Sequence, residues 1–245
     1  MFFEPFHFQA TVFVEAPMSI DNMNLPATLF SNTFNDINVV SNESSDNEGA
    51  TEASFTTKDG RFNLMLKDGR WIFNHYGILD NEFLIISSQE EFCEIASNLL
   101  TQIMKLYGLK ASRIALLQEG FISQEYSKDM NQLGEFLLRI PELQCGKEFE
   151  EWKWHIVSRE TRNFGSVKAD IINFISDISK GFYYFRTPTS AYFEPKVKVE
   201  LDVNTRPEYA FDKYDSHQVY DFFKQAAVWH NELATSCANL LDKRE

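Results

Sequence analysis

Cysteine is scarce. Three occur in 245 residues, at positions 93, 145 and 237, and none stands in a Cys-x-x-Cys pair. An odd, sparse count without that spacing argues against a disulfide framework and fits a reducing compartment. Cys93 and Cys237 sit among apolar neighbours in helical segments, where thiols are buried and inert. No apolar run approaches the ~18 residues that a membrane helix needs. The N-terminal MFFEPFHFQATVFVEAP lacks a basic leader and carries Glu4 and Pro5 instead. The expected location is the cytoplasm. HExxH, GxSxG, P-loop and GxGxxG patterns are all missing, which weighs against the common metallohydrolase, hydrolase and nucleotide-binding classes. The five His, at 7, 75, 155, 217 and 230, offer no pair at metal-ligand spacing. Neither metal nor cofactor is expected.

Positive charge is also in short supply. Lys and Arg number 23 against 36 Asp and Glu, for a net charge of −13. That field repels phosphate backbones and anionic lipid, so neither nucleic acid nor membrane is an expected partner. A basic protein partner is compatible with it.

Aromatic residues are abundant, at 15%, with 23 Phe. Such a chain either has a large aromatic core or keeps an apolar patch for a partner.

Alternation in FHFQATVFVEAP predicts a strand closed by Pro17, with Phe8, Ala10, Val12 and Val14 on one face. Residues 18–40 give no clear pattern. The small, acidic stretch 41–54 reads as a mobile loop. The tetrapeptide Lys-Asp-Gly-Arg then occurs twice, at 58–61 and 67–70. Asp-Gly between strand-like runs favours the type I′ hairpin turn, so the repeat reads as two consecutive turns of a meander with its Lys and Arg in solvent. EFLIIS, 82–87, reads as a central strand because both its faces are apolar.

Ser88 and Glu91 form a capping-box pattern that opens a helix over 88–107, stopped by Gly108. A strand is predicted over 112–121 and a short helix over 128–139, ended by Pro141. Four more strands follow, at 151–158, 166–176, 181–186 and 196–204. In the last, Val197, Val199, Leu201 and Val203 point inward, while Lys196, Lys198, Glu200 and Asp202 point to water. A long helix over 216–241 is capped by Asp215 with Gln218, and Lys243 and Arg244 suit its C-terminal dipole. The expected fold is α+β: mostly antiparallel sheet in two halves, 1–122 and 123–245, each followed by a covering amphipathic helix. No sequence identity links the halves, which leaves open a duplication or one fused domain.

Few residues suggest chemistry. His230 lies on the apolar stripe of the last helix, as an acid or base in a cleft or as a core-edge His with one hydrogen bond. Trp229 beside it reads as a packing anchor. Glu200 and Asp202 are carboxylates about 7 Å apart on one strand face, a spacing that glycosidic chemistry can use. Lys196 and Lys198 share that face, as on an ordinary solvated surface. FYYFR, 182–186, could stack bases, but the charge favours sheet core.

The order of features resembles a sporadically distributed, functionally uncharacterised prokaryotic family of similar length. The residues that carry the likeness are Val14-Glu15-Ala16, Arg113-Ile114-Ala115-Leu116-Leu117, Leu201-Asp202-Val203-Asn204 and the helical run Val228-Trp229-His230-Asn231-Glu232-Leu233. The resemblance implies an α+β fold and a cytoplasmic location but no activity. Families scattered in this way often travel with mobile elements or phage-defence islands.

The leading expectation is a non-catalytic binding or accessory protein of such a system, with a protein partner and self-association into a homo-oligomer. Two alternatives stand beside it: an acidic immunity or antitoxin protein that neutralises a basic toxin, and an enzyme with a site around His230 or Glu200 and Asp202.

Overall fold

The computed structural model describes residues 2–14, 24–34, 37–38, 44–45, 51–80, 83–123, 130–138, 149–186, 191–206 and 214–242. The fold is α+β, built on one antiparallel sheet of ten strands among the described residues. The strands are β1 (Phe3–Val14), β2 (Ile37–Asn38), β3 (Ser44–Ser45), β4 (Thr51–Thr57), β5 (Phe62–Lys67), β6 (Arg70–Tyr76), β9 (Ala111–Ile122), β10 (Trp152–Phe164), β11 (Val167–Arg186) and β12 (Ala191–Thr205). Their order is β10-β11-β12-β9-β1-β6-β5-β4-β2, with β3 also on β4. β9 pairs with β1 on one side and β12 on the other, so strands from both ends of the chain share one sheet.

A row of directly opposed residues runs across eight strands: Phe55, Leu64, Phe73, Ala10, Leu116, Val203, Phe174 and Ser158. All but Ser158, on the edge, are buried. Directly opposed residues of a sheet point to the same side, so this row marks the apolar face. Among the described residues four helices cover it: α1 (Asn24–Thr33), α2 (Gln89–Tyr107), α3 (Met130–Leu138) and α4 (Ser216–Asp242). Phe30 of α1 meets Phe55, Phe92 of α2 stacks between Phe8 and Phe73, and Trp229 of α4 meets Phe174 edge-on. Gly134 of α3 lies against Trp152. Among the described residues eleven of the 23 Phe are buried, with Phe8, Phe30, Phe55, Phe73, Phe92, Phe222 and Phe223 among the largest fully buried side chains.

The helix ends follow from their caps. Ser88 Oγ accepts from Glu91 N at 3.1 Å, and Gly108 closes α2 in the left-handed region at φ 62°. At α4, Gln218 N donates to Asp215 Oδ1 and Asp215 N donates to Gln218 Oε1, both at 2.9 Å, a reciprocal capping box. Pro17, Pro141, Lys243 and Arg244 lie outside the described residues.

Several expectations are corrected. Stretch 18–40, without a readable pattern, contains α1, whose Pro26 sits in the first turn where no intrahelical N–H is lost. The polar stretch 41–54 overlaps β4, which starts at Thr51 and buries Ala53. The run 82–87 is not central: among the described residues Phe83–Ile85 (β8) pairs only with Ile78–Asp80 (β7), in a separate ribbon. Both edges of the preceding strand β6 are already taken, by β1 and β5, so the chain folds back on itself. The strands expected at 166–176 and 181–186 are one strand of 20 residues, because Asp177, Ser179 and Lys180 pair with β12 instead of turning.

The two Lys-Asp-Gly-Arg copies also differ. At 67–70 both central residues have positive φ, Asp68 at 49° and Gly69 at 68°, with Lys67 paired to Arg70, as type I′ requires. At 58–61 only Gly60 is positive, at 73°. There Thr57 precedes the copy. Its hydroxyl donates to Asp59 Oδ1 at 2.7 Å and accepts from Phe62 N at 3.0 Å, which holds a wider loop.

Candidate functional site

The sheet has a second face, and no helix packs on it among the described residues. Two rows define it. One reads Tyr76, His7, Glu119, Glu200, Asp177, His155, from β6 to β10. The next reads Thr56, Asn63, Asn74, Gln9, Leu117, Asp202, Ile175, Val157. Such a polar face would ordinarily be wet. Here His7, Asn63, Asn74, Asp177 and Asn204 are buried.

Burial on this scale needs partners, and a hydrogen-bonded chain supplies them across six strands. Lys198 Nζ donates to Glu119 Oε1 at 2.7 Å and to Glu200 Oε2 at 3.0 Å. His7 Nδ1 donates to Glu119 Oε2 at 2.7 Å, and His7 Nε2 faces Asn74 Oδ1 at 3.1 Å. Asn74 reaches Asn63 at 3.4 Å, and Asn63 Nδ2 donates to Ser54 and Thr56 hydroxyls, both at 2.8 Å. Tyr76 stacks on the His7 ring, with centroids 4.5 Å apart and planes within 4°. The hydrogen bond from His7, with Lys198 adding to it against the opposing effect of burial, holds Glu119 down to about 2. Burial disfavours the charge on Lys198, but Glu119 and Glu200 outweigh it and raise its pKa.

Toward the other end of the same face the satisfaction is incomplete. Asp202 Oδ2 accepts from Asn204 Nδ2 at 2.8 Å, but Oδ1 is buried without a hydrogen-bond partner. Burial raises the Asp202 carboxyl to about 6; Arg113 and Asn204 pull against this, while Glu200 and Asp177 add to it. Asn173 Nδ2 donates to Asn204 Oδ1 at 3.0 Å, and Arg159 Nε donates to Asn173 Oδ1 at 3.2 Å. Arg113 lies over the Phe13 ring at 4.8 Å, with Nε buried and unpartnered.

Of the residues singled out in the sequence, Glu200 and Asp202 do share a face, with Lys198 between Glu200 and Glu119. The face is not the solvated surface expected: Asp202 is half-buried and Glu200 is held by Lys198. His230 is fully buried on the opposite face. Its Nε2 donates to Leu116 O at 2.9 Å and its Nδ1 accepts from Gln89 Nε2 at 2.7 Å. Burial lowers its pKa to about 4, against the hydrogen bond to Leu116. The structure does not bring His230 together with Glu200 and Asp202. Cys93 and Cys237 are buried, and burial pushes the Cys93 thiol up to about 12.

The sequence runs Arg113–Leu117 and Leu201–Asn204 turn out to be neighbours, with Asp202 opposite Leu117 and Asn204 opposite Ala115. His7 and Glu119 carry no local signal of their pairing, since 112 residues separate them.

No protein-family model matches the chain, and no curated protein sequence matches it. Among the described residues, no helix is long and apolar enough to cross a membrane, and no group of His, Cys, Asp and Glu has the arrangement to hold a metal ion.

Proposed function

We propose that this is a non-catalytic binding protein that engages a protein partner through an aromatic arm. One observation carries the reading. Among the described residues, β10 flanks β11 only as far as Lys180, and β9 flanks β12 only from Lys198 onward. Beyond those points β11 and β12 continue as a two-stranded ribbon that pairs Gly181–Arg186 with Ala191–Lys196. The ribbon carries Phe182, Tyr184, Tyr192 and Phe193, exposed by 55%, 57%, 44% and 70%. Tyr184 and Phe193 pack on each other, with centroids at 5.2 Å. Clustered exposed aromatics are the usual material of interface hot spots and are uncommon on a surface that meets only water.

The −13 charge favours a basic partner. An acidic antitoxin bound to a basic toxin is one form of this reading. The family resemblance adds a cytoplasmic setting within a mobile-element or phage-defence system. A second copy of the chain is another occupant, and the edge strand β10, with exposed Ile156 and Val157, offers it a further surface.

The enzymatic alternative draws on Asp202, a carboxyl with an unpartnered buried oxygen beside Arg113. Glu200 is a poor second carboxylate for it, because Lys198 already holds its side chain.

The triple variant F182S/Y184S/F193S separates these readings from D202N. Binding through the arm predicts that the triple variant melts like the parent yet loses function in cells, while D202N retains it. Loss of function in D202N alone would favour an enzyme.

A further inference from the structure

The two edges of the large sheet differ in length. At one edge, among the described residues, β4 carries β2 and β3, of two residues each. Strands so short offer a newcomer little backbone. The other edge is β10, 13 residues long and without proline. Its pairing with β11 runs without a register shift from Trp152 to Arg162, and among the described residues nothing pairs with its outer side. In an antiparallel ladder alternate residues turn N–H and C=O away from the neighbouring strand, so about six residues of β10 present both groups outward. Positions 155–161 are all exposed, with Ile156 at 47% and Val157 at 44%. A long, unbulged, partly apolar edge is a template for another strand.

Charge says which strand. β10 carries Lys153, Arg159 and Arg162 against one acid, Glu160. Glu160 is held by Arg162, which also reaches Glu232. On the helix-free side the strand presents Lys153, His155, Val157, Arg159 and Thr161, with no carboxylate among them. Lys153 lies 3.3 Å from Asp177, yet its side chain is 61% exposed. Among the described residues Arg159 has no carboxylate partner and donates to the Asn173 amide oxygen. A second copy fits this edge poorly. Every two-fold from Ile156 to Arg159 that pairs β10 with itself brings two of these cations together, directly or on the diagonal, where like charges weaken a ladder. The −13 total does not bar an acidic segment, because charges farther off than about 8 Å are screened at physiological salt.

We infer that β10 accepts an extended acidic segment of a partner protein as an added antiparallel strand. One carboxylate stands opposite Arg159 and another opposite Lys153, with apolar side chains opposite Val157 and Ile156. Along the partner chain this reads as an acid, apolar residues two and three positions later, and a second acid six positions later. Backbone hydrogen bonds hold the segment, and the cross-strand side chains select it. The edge does not depend on the aromatic arm, which begins beyond Lys180 where β10 ends, so each can fail without the other.

The test titrates the full chain into a fluorescein-labelled, amidated peptide, ETVVTTE, and follows anisotropy, with KTVVTTK beside it. ETVVTTE should saturate below about 1 mM, and KTVVTTK should bind about tenfold more weakly. R159E, at an exposed position, should weaken ETVVTTE about fivefold and restore the loss with KTVVTTE, which carries its cation opposite residue 159. N-methylation of alternate peptide amides should abolish binding for one set and spare the other, because every second N–H faces β10. F182S/Y184S/F193S should bind the peptide as the parent does. Hydrogen exchange should slow within 152–164 on peptide addition and stay unchanged within 181–186. No saturable binding by about 1 mM, equal binding of KTVVTTK, or binding that survives both N-methylated sets would each overturn the inference. So would β10 amides already protected in the free chain at micromolar concentration, which would make a second copy the occupant.

Discussion

His7 on β1 and Glu119 on β9 are 112 residues apart in the chain and meet at 2.7 Å, Nδ1 to Oε2. Glu119 also holds Lys198 at 2.7 Å, so one carboxylate joins three neighbouring strands. Removing it takes one of two acceptors from the half-buried Lys198 ammonium and leaves His7 Nδ1–H without its acceptor. E119A should therefore lose about 3 kcal/mol of stability at pH 7, and E119Q less, since an amide oxygen can still accept one bond. Urea unfolding of the two variants beside the parent measures both.

Acid should weaken the fold in two stages. Burial lowers the pKa of His75 and of His230 to about 4, from 6.5. The unfolded chain therefore binds these protons first, and stability falls as pH drops from about 6.5 toward 4. Glu119, held down to about 2 from 4.5, adds a further loss as pH falls from about 4.5 toward 2. Asp202 has the opposite sign. Its raised pKa means that the folded state takes up the proton first, so its contribution is full below about 4 and is lost as pH rises through about 6. D202N should be more stable than the parent at pH 8, on the order of 1–2 kcal/mol, and should show a steeper fall in urea midpoint between pH 7 and pH 5.

His230→Ala is a structural lesion and a poor probe of catalysis. It strands Gln89 Nε2 and the Leu116 carbonyl in a core that is fully buried at this point. A loss of about 3 kcal/mol is expected, visible as a lower melting temperature by circular dichroism.

The twin turns give a paired test. A Cβ at Gly69 would lie 2.9 Å from the Val14 carbonyl oxygen, while one at Gly60 would meet nothing within 4 Å. Both glycines have positive φ, which costs an L residue about 1–2 kcal/mol. G69A should exceed G60A by the added clash, read as a larger drop in urea midpoint.

Much of this fold is legible in the sequence, and the reason is local. Ser88 with Glu91, Gly108, and Asp215 with Gln218 announce their helices because a cap is made within three or four residues. The inward positions of β1 and β12 follow from alternation. Alternation tells which residues share a face, but it cannot tell whether that face is wet. Alternation puts Lys198, Glu200 and Asp202 on the correct side, where they read as solvated, and only the strand order brings Glu119, Arg113 and Asp177 beside them. The same limit hid the arm. FYYFR reads as sheet core by composition, and its exposure depends on where β9 and β10 stop. Arg70 and Arg61 stand in identical tetrapeptides, yet one pairs with Asp59 and the other lies over Phe13, a difference set by contacts from β1.

The aromatic arm is tested most directly by site-specific photocrosslinking in the native host. A photoreactive phenylalanine analogue replaces Phe193 in one strain and Lys58, an exposed turn residue, in another. A docking arm predicts one discrete adduct from position 193, identified by mass spectrometry as a single partner or a second copy of the chain, and no matching adduct from position 58. Irradiation that yields no adduct at 193, or the same smear from both positions, would contradict the account.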